Sequence, residues 1–339
     1  MNPPNNIRGV VGFRSLISLG TILFFILVAA YFFYGLQPSR AEGGSLQFKI
    51  IKGEGFREIG ARLSQNSFIK SISVFKLYSI LSGRVQKFQP GLYDLSSAMT
   101  LPEIIDVLTS GGKNETSVVI PEGSTVKDID MILAEAGVIE RGALINLPLK
   151  ELTLNHSFLA TVNSFEGFFF PDTYRFKFNS SAKEVADRFL ENFEAKAWSL
   201  LNGQKNWYDL LILSSFLERE VPDFGDRQIV AGIFLKRLRI GMPLQADASI
   251  SYAKCDGELK DCLEIRVTKK DLAISSPYNT YQRLGWTPTP ISNPGQSAIK
   301  AAMTPQATSY IYYLSASGTK DTIFSKTLEE HNLNRSKYL

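Results

Sequence analysis

The chain has 339 residues, enough for two or three domains, and 44% hydrophobic with 21% charged residues is ordinary for globular material without a large disordered tract. Its formal charge of +4 comes from scattered basic residues rather than a stripe interleaved with stacking aromatics, which argues against nucleic acid as a partner. The two histidines, His156 and His331, lie far apart in no ligand-spaced cluster, so a zinc site or a Ser-His-Asp relay lacks raw material, and both read as surface histidines.

Leu16 to Leu36 carries no charged residue. At about 1.5 Å per residue, a helix of this length spans the roughly 30 Å hydrocarbon core of a bilayer. The run is longer than a signal-peptide apolar region and no small-x-small cleavage site follows it, so it reads as an uncleaved anchor over 16–36; a fully buried core helix is the alternative. Arg8 and Arg14 precede the span while Arg40 beside Glu42 follows it, which places residues 1–15 in the cytoplasm and everything after Gln37 outside the cytoplasmic membrane. Tyr31, Phe32, Phe33 and Tyr34 suit the outer interface. Residues 37–47, with Pro38, Gly43 and Gly44, read as a short flexible tether.

A repeat follows. Ile50, Gly53, Phe56 and Ile59 are matched seventy positions later by Ile120, Gly123, Val126 and Ile129. Each copy predicts a strand, a glycine turn and a helix opening with apolar residues three apart. Between them, Phe68 to Leu77 predicts a helix, Gly91 to Leu95 a returning strand and Leu101 to Leu108 a helix closed by Gly111 and Gly112. Such units resemble LysM-like carbohydrate-binding modules, and residues 48–159 are assigned to such a region; a packing repeat without a ligand is the competing reading. Lys113 follows two glycines, but the wider spacing of a phosphate loop is missing.

From residue 160 a second domain is expected to run to 339. Ser164 to Phe176 sets Glu166 and Asp172 among aromatic rings, punctuated by Gly167 and Pro171, a composition that serves for the wall of a saccharide cleft or for plain core. Trp207 to Glu220 predicts a helix with Leu210, Leu213 and Leu217 on its core stripe. Glu218 falls on the neighbouring stripe with Leu211, Ser214 and Ser215, and its carboxyl would lean over the two small serines, leaving a gap for a substrate oxygen. Apolar surroundings would raise its pKa into the range of a general acid. Glu220 lies about 200° around the helix and is expected to face elsewhere, solvated or paired with an arginine. A second helix, near Asp226 to Ile240 and capped by Asp226, braces the first, and Gln245 and Asp247 then return toward the cleft. The last stretch predicts a helix from Ala298, an apolar strand at Tyr310 to Leu314 and a closing helix from Thr327 to Tyr338, the last bringing His331 toward the site.

The order EGFFFPDTYRF, SSFLERE, FLKRLRIGMPLQAD and SPYNTYQRLGWTPTPISNPG resembles the YceG-like (MltG) endolytic murein transglycosylases, membrane-anchored enzymes that cleave nascent peptidoglycan. The resemblance runs over essentially the whole chain. It departs where Ser214, Ala248 and Trp286 to Thr289 stand. It implies that Glu218 is the catalytic acid/base, with a cleft lined by Glu166, Gln245, Tyr278, Asn279, Thr280 and the turn at Asn293, and association with peptidoglycan synthases as partners. The architecture expected is α+β: one transmembrane helix, a LysM-like part and a mixed α/β catalytic domain, anchored in the lipid bilayer and acting on peptidoglycan strands.

The implied chemistry needs one carboxylate. Ordinary glycosidases use a second Asp or Glu as nucleophile or base. A lytic transglycosylase lets the C6 hydroxyl of muramic acid attack its own anomeric carbon, leaving a 1,6-anhydro end without metal or cofactor. Two alternatives stand beside it: a two-carboxylate muramidase in which Asp247 activates water, and a glycan-binding scaffold without turnover. Cys255 and Cys262 flank DGELKD; outside the cytoplasm they read as a disulfide closing a short loop, the alternative being two reduced thiols.

Overall fold

A computed structural model describes residues 8–51, 53–111, 115–316, 318–319 and 321–339, with side chains described from residue 19 on. Residues 1–7 of the expected cytoplasmic segment and the Gly112–Lys113 turn therefore lie outside the described residues. The chain mixes helix and strand and divides into two compact units, Met1–Glu115 and Thr116–Leu339. The second copy of the repeat, assigned from sequence to the region before residue 160, stands in the second unit.

In the first unit, helix α1 (Arg8–Leu36) contains Leu19–Leu36, a span long and apolar enough to cross a membrane and almost wholly uncovered by protein, as suits a single-pass anchor. Strands β1 (Ser45–Ile50) and β2 (Gly91–Ser96) pair antiparallel, Ser45 opposite Ser96 and Ile50 opposite Gly91. Alternation along β2 turns Tyr93 and Leu95 inward. Helices α2 (Phe56–Gln65), α3 (Ile72–Leu81) and α4 (Leu101–Thr109) supply Ile59, Leu63, Phe75, Ile104 and Leu108 to the same core. Each such fully buried side chain contributes roughly 1.5–3 kcal/mol.

The stretch expected to be a free tether is docked instead. Arg40 donates its N–H to the Ser97 carbonyl at 3.0 Å, and the Ser96 hydroxyl reaches the Gly43 carbonyl at 2.8 Å. The end of α1 is held too: Phe32 and Leu36 pack on the core, Tyr31 Oη lies 2.9 Å from Ser71 Oγ, and the Lys70 ammonium sits 4.2 Å from the Tyr34 ring centre. Gly35 is required there, since a Cβ would come within 2.5 Å of Val74.

The second unit holds strands β3 (Glu115–Val119) and β4 (Thr173–Lys177), paired with each other, and helices α5 (Val126–Glu135) and α6 (Ala182–Phe193). After a π turn over Glu194–Trp198 come the short α7 (Ser199–Leu201), α8 (Trp207–Glu220), α9 (Phe224–Arg239), α10 (Asp247–Lys254) and α11 (Gln296–Met303). An antiparallel hairpin of β5 (Tyr312–Ser315) and β6 (Thr322–Ser325) carries the closing α12 (Leu328–Tyr338). Phe168, Phe169, Phe189 and Phe193 are fully buried in a large aromatic core, so the phenylalanine run after Glu166 is packing rather than a sugar platform. Helix α9 starts two residues before the sequence reading: Asp223, not Asp226, is the cap, and its carboxylate accepts the Asp226 N–H at 3.0 Å.

Candidate active site

Helix α8 is buried on every side from Leu210 to Leu217, and in its last turn Glu218, Arg219 and Glu220 point in different directions. Val221, Pro222 and Asp223 then reverse the chain so that α9 runs back against α8, and this brings Arg227 to Glu218. The Arg227 guanidinium donates from Nε to the Val221 carbonyl at 2.7 Å and from Nη2 to Glu218 Oε1 at 2.6 Å. The other carboxylate oxygen of Glu218 accepts the Gly295 N–H at 2.9 Å. The two side chains of this ion pair keep only 6% and 5% of their exposure.

Burial raises the Glu218 pKa and nearby Glu122 adds to that, while Arg227 and the Gly295 N–H oppose it. The gap expected over Ser214 and Ser215 is filled. Ser214 Oγ donates to the Leu210 carbonyl at 2.6 Å. Ser215 Oγ donates to the Ile212 carbonyl at 2.7 Å and accepts the Ile291 N–H at 3.0 Å, so the segment leading to Asn293 lies where a substrate oxygen was expected.

Glu220, on the opposite face, borders a cavity of about 680 Å³ whose wall also includes Arg219, Gln245, Asp247, Tyr281, Tyr313 and His331. Glu220, expected from the sequence to face elsewhere than Glu218, faces this cavity, and Glu218 is absent from its wall. Glu220 accepts the Ala248 N–H at 3.2 Å and the Tyr313 hydroxyl at 3.0 Å. Burial is the main force raising its pKa, reinforced by the charge of Asp247.

Several elements deliver the rest of the wall. Arg237 of α9 donates to the Ile311 and Leu244 carbonyls at 2.8 and 2.5 Å, tying the hairpin and the segment after α9 to one guanidinium. Gln245 takes a left-handed conformation with φ +50°, and its N–H meets the Thr280 carbonyl at 3.0 Å. Asp247 opens α10 and accepts the Tyr281 hydroxyl at 2.6 Å.

The remaining residues singled out in the sequence hold this arrangement from behind. Asn279 is fully buried: its amide donates to the Leu272 and Ile274 carbonyls at 3.0 and 2.8 Å, and its oxygen accepts the Tyr281 N–H at 3.0 Å. Thr280 Oγ1 accepts the Ala246 N–H at 3.0 Å, and the Tyr278 hydroxyl lies 2.9 Å from Thr289 Oγ1.

Glu166 and Asn293 also lie in the interior. The Glu166 carboxyl accepts the Val126 N–H at 3.2 Å, the Asn293 amide at 3.2 Å and the Tyr252 hydroxyl at 3.2 Å, and burial pushes its pKa up to about 8. Asn293 further donates to the Ser124 carbonyl at 2.9 Å and accepts the Phe169 N–H at 2.8 Å. Asp172 is spent on Asn192 and Lys196.

Cys255 and Cys262 form the disulfide. The loop it closes is bound to the second repeat copy, where Asp128 accepts the Leu259 and Lys260 N–H groups, both at 2.8 Å. Neither histidine is the surface residue expected: His156 is 4% exposed and 3.3 Å from Asp187, while His331 stacks on Tyr312 with centroids 5.1 Å apart.

Sequence reasoning missed Tyr281, Tyr313, Arg227 and Asp128. Asp128 had a signal, since Thr125 and Asp128 have the spacing of a capping box. Tyr281 stood inside the YNTY motif. Among the described residues no group of three or more His, Cys, Asp or Glu is placed to hold a metal ion.

Four similarities bear on this arrangement. The chain matches the YceG-like family over residues 48–337. It is 31% identical to an endolytic murein transglycosylase of Bacillus subtilis, covering 93% of this chain and 91% of that protein. It is 24% identical to one of Streptococcus pneumoniae, covering 86% of this chain but 58% of that longer protein. A crystal structure of a yceG-like protein from Listeria monocytogenes shares 30% identity and superposes with a TM-score of 0.58 over 86% of this chain and 99% of that one.

Proposed function

Because this chain belongs to the YceG-like family, we propose that it is an endolytic peptidoglycan lytic transglycosylase that cuts the MurNAc–GlcNAc bond inside nascent glycan strands, with Glu220 as general acid/base. One observation carries the choice of residue: Glu220 is the glutamate of α8 on the wall of the 680 Å³ cavity, whereas Glu218 is committed to Arg227 and the Gly295 N–H.

Glu220 enters the cycle protonated and gives its proton to the glycosidic oxygen as the C1–O bond breaks. The resulting carboxylate takes the proton of the muramic acid C6 hydroxyl while that oxygen bonds to C1, closing the 1,6-anhydro ring. The attack is intramolecular, so no activated water is required and one carboxyl group suffices. The Tyr313 hydroxyl and the Ala248 N–H steady the carboxylate form between the two transfers.

Around this chemistry the sequence supports one topology. Residues 1–15 are cytoplasmic, 16–36 cross the cytoplasmic membrane once, and the remainder is extracytoplasmic, with a LysM-like part between the anchor and the catalytic region. Peptidoglycan synthases are the proteins it would meet there.

The test is mass spectrometry of peptidoglycan fragments released by the full-length protein, its Glu220→Gln variant and its Glu218→Gln variant, with rates normalised to folded protein. Anhydro-muramyl ends that vanish only with Glu220→Gln are the expected result; loss confined to Glu218→Gln would return the role to that residue. A second reading is favoured by the presence of Asp247 on the same wall as Glu220. If Asp247 activates water, the products carry hydrated reducing ends and Asp247→Asn is as damaging as Glu220→Gln. A folded protein that bound glycan and released neither product would be a scaffold.

A further inference from the structure

The side chains on the cavity wall carry more positive charge than neutral sugars need. Four arginines line it, Arg219, Arg237, Arg266 and Arg335, against the carboxyl groups of Glu220 and Asp247. Two of the four are occupied: Arg237 by the Ile311 and Leu244 carbonyls, and Arg219 by the Gly123 carbonyl at 3.1 Å. Arg266 and Arg335 are exposed, and among the described residues neither guanidinium has a hydrogen-bond or ion-pair partner.

The acids nearest to them in sequence are engaged elsewhere. Glu264 pairs with Lys254 at 3.6 Å, and Glu330 accepts the Lys326 N–H at 2.7 Å. Asp247 is committed to the Tyr281 hydroxyl. Arg266 and Arg335 come from separate parts of the chain, the loop after Cys262 and helix α12, so two unspent forks converge on one cavity.

We propose that Arg266 and Arg335 bind carboxylates of the peptide stems carried by the muramic acid residues, making this cavity selective for strands with charged stems. The inference rests on the reading of the cavity as the glycan site. Sugar hydroxyls and acetamides are neutral and do not require guanidinium partners, whereas a planar fork matches a carboxylate in a bidentate pair. In peptidoglycan the carboxylates belong to the stems, along them and at their free ends, so a muramic acid residue with its glycosidic oxygen at Glu220 would bring them into the cavity that Arg266 and Arg335 also line.

The experiment compares one preparation of glycan strands in two forms, with native stem carboxylates and with those carboxylates converted to carboxamides. Equilibrium binding to full-length Glu220→Gln protein and cleavage by the unmutated protein are both measured. Native strands are expected to bind about tenfold more tightly and to be cleaved with a correspondingly higher kcat/KM. Adding Arg266→Gln and Arg335→Gln brings that ratio close to one, and Lys at both positions leaves an intermediate ratio because charge survives without the fork.

A ratio near one in the unmutated cavity, or a tenfold ratio that survives both glutamines, would overturn the proposal. Binding selectivity lost with the glutamines but without anhydro ends from any variant would keep the stem site and remove the catalytic reading. Anhydro ends formed equally from both strand types would do the reverse.

Discussion

The two faces of the last turn of α8 carry chemically identical groups in opposite circumstances. Glu218 and Glu220 stand two residues apart, and burial raises the pKa of both. Glu218 meets a guanidinium at 2.6 Å and a backbone N–H at 2.9 Å, and its side chain keeps 5% exposure. Glu220 meets a tyrosine hydroxyl and one N–H, has no cation within hydrogen-bonding distance among the described residues, and borders a cavity. A raised pKa alone therefore does not mark the catalytic group, because structural ion pairs perturb pKa values too. What separates the two is whether the proton has somewhere to go.

The sharpest way to break the comparison is to remove each acid in turn. Glu220→Gln is expected to lower the cleavage rate by roughly 10³-fold or more, the scale of a lost general acid, with little change in Tm. Glu218→Gln is expected to do the opposite, costing about 3 kcal/mol of stability because Arg227 is left buried without its counter-charge. Denaturant unfolding of both variants beside their turnover rates gives the four numbers needed. If Glu218→Gln kept full stability and lost turnover, the two faces would have to exchange roles.

How much of this was legible follows the same division. The extent of α8, the break at Pro222, the long apolar N-terminal helix and the two β-turn-α copies were readable because periodicity, glycine positions and charge-free length are local properties. Which face of α8 meets the cavity was not. It depends on the Ile291–Asn293 segment, whose contacts with Ser215 and Ser124 span 76 and 169 positions. The same holds for Glu166. Its aromatic neighbours suggested a sugar wall, but the Val126 N–H, the Asn293 amide and the Tyr252 hydroxyl that enclose it come from three distant stretches.

Glu166 extends the comparison to a third buried acid and gives it a pH axis. Its pKa stands at about 8 in the folded protein against an ordinary 4.5. Between those values the folded protein holds a proton that the unfolded chain has lost. Stability from this group is thus complete below about 4.5 and is lost as pH rises, by at most about 1.4 kcal/mol per unit up to pH near 8. Glu166→Gln mimics the protonated form and should flatten that decline. Tm measured from pH 5 to 9 for both proteins tests it, and parallel curves would mean that Glu166 is ionised in place.

The smallest effect is expected at Gly295, where the Glu218 cluster meets Glu122. A Cβ on Gly295 would run into the Glu122 carboxylate, and the φ of −76° is one that alanine adopts freely. Because Glu122 is exposed and meets the new atom with the far end of a flexible side chain, it can swing outward. The Gly295 N–H keeps its direction toward Glu218 Oε2, so the ion pair with Arg227 is preserved. Gly295→Ala should then cost under about 1 kcal/mol, partly from replacing glycine at a helix N-cap. Moving Glu122 away also removes one of the charges that raise the Glu218 pKa, which stabilises the ionised pair and offsets part of that cost. A loss near that of Glu218→Gln would show that Glu122 belongs to the buried network, making three carboxyl-bearing positions on α8 and its neighbours interdependent rather than two faces separable by mutation.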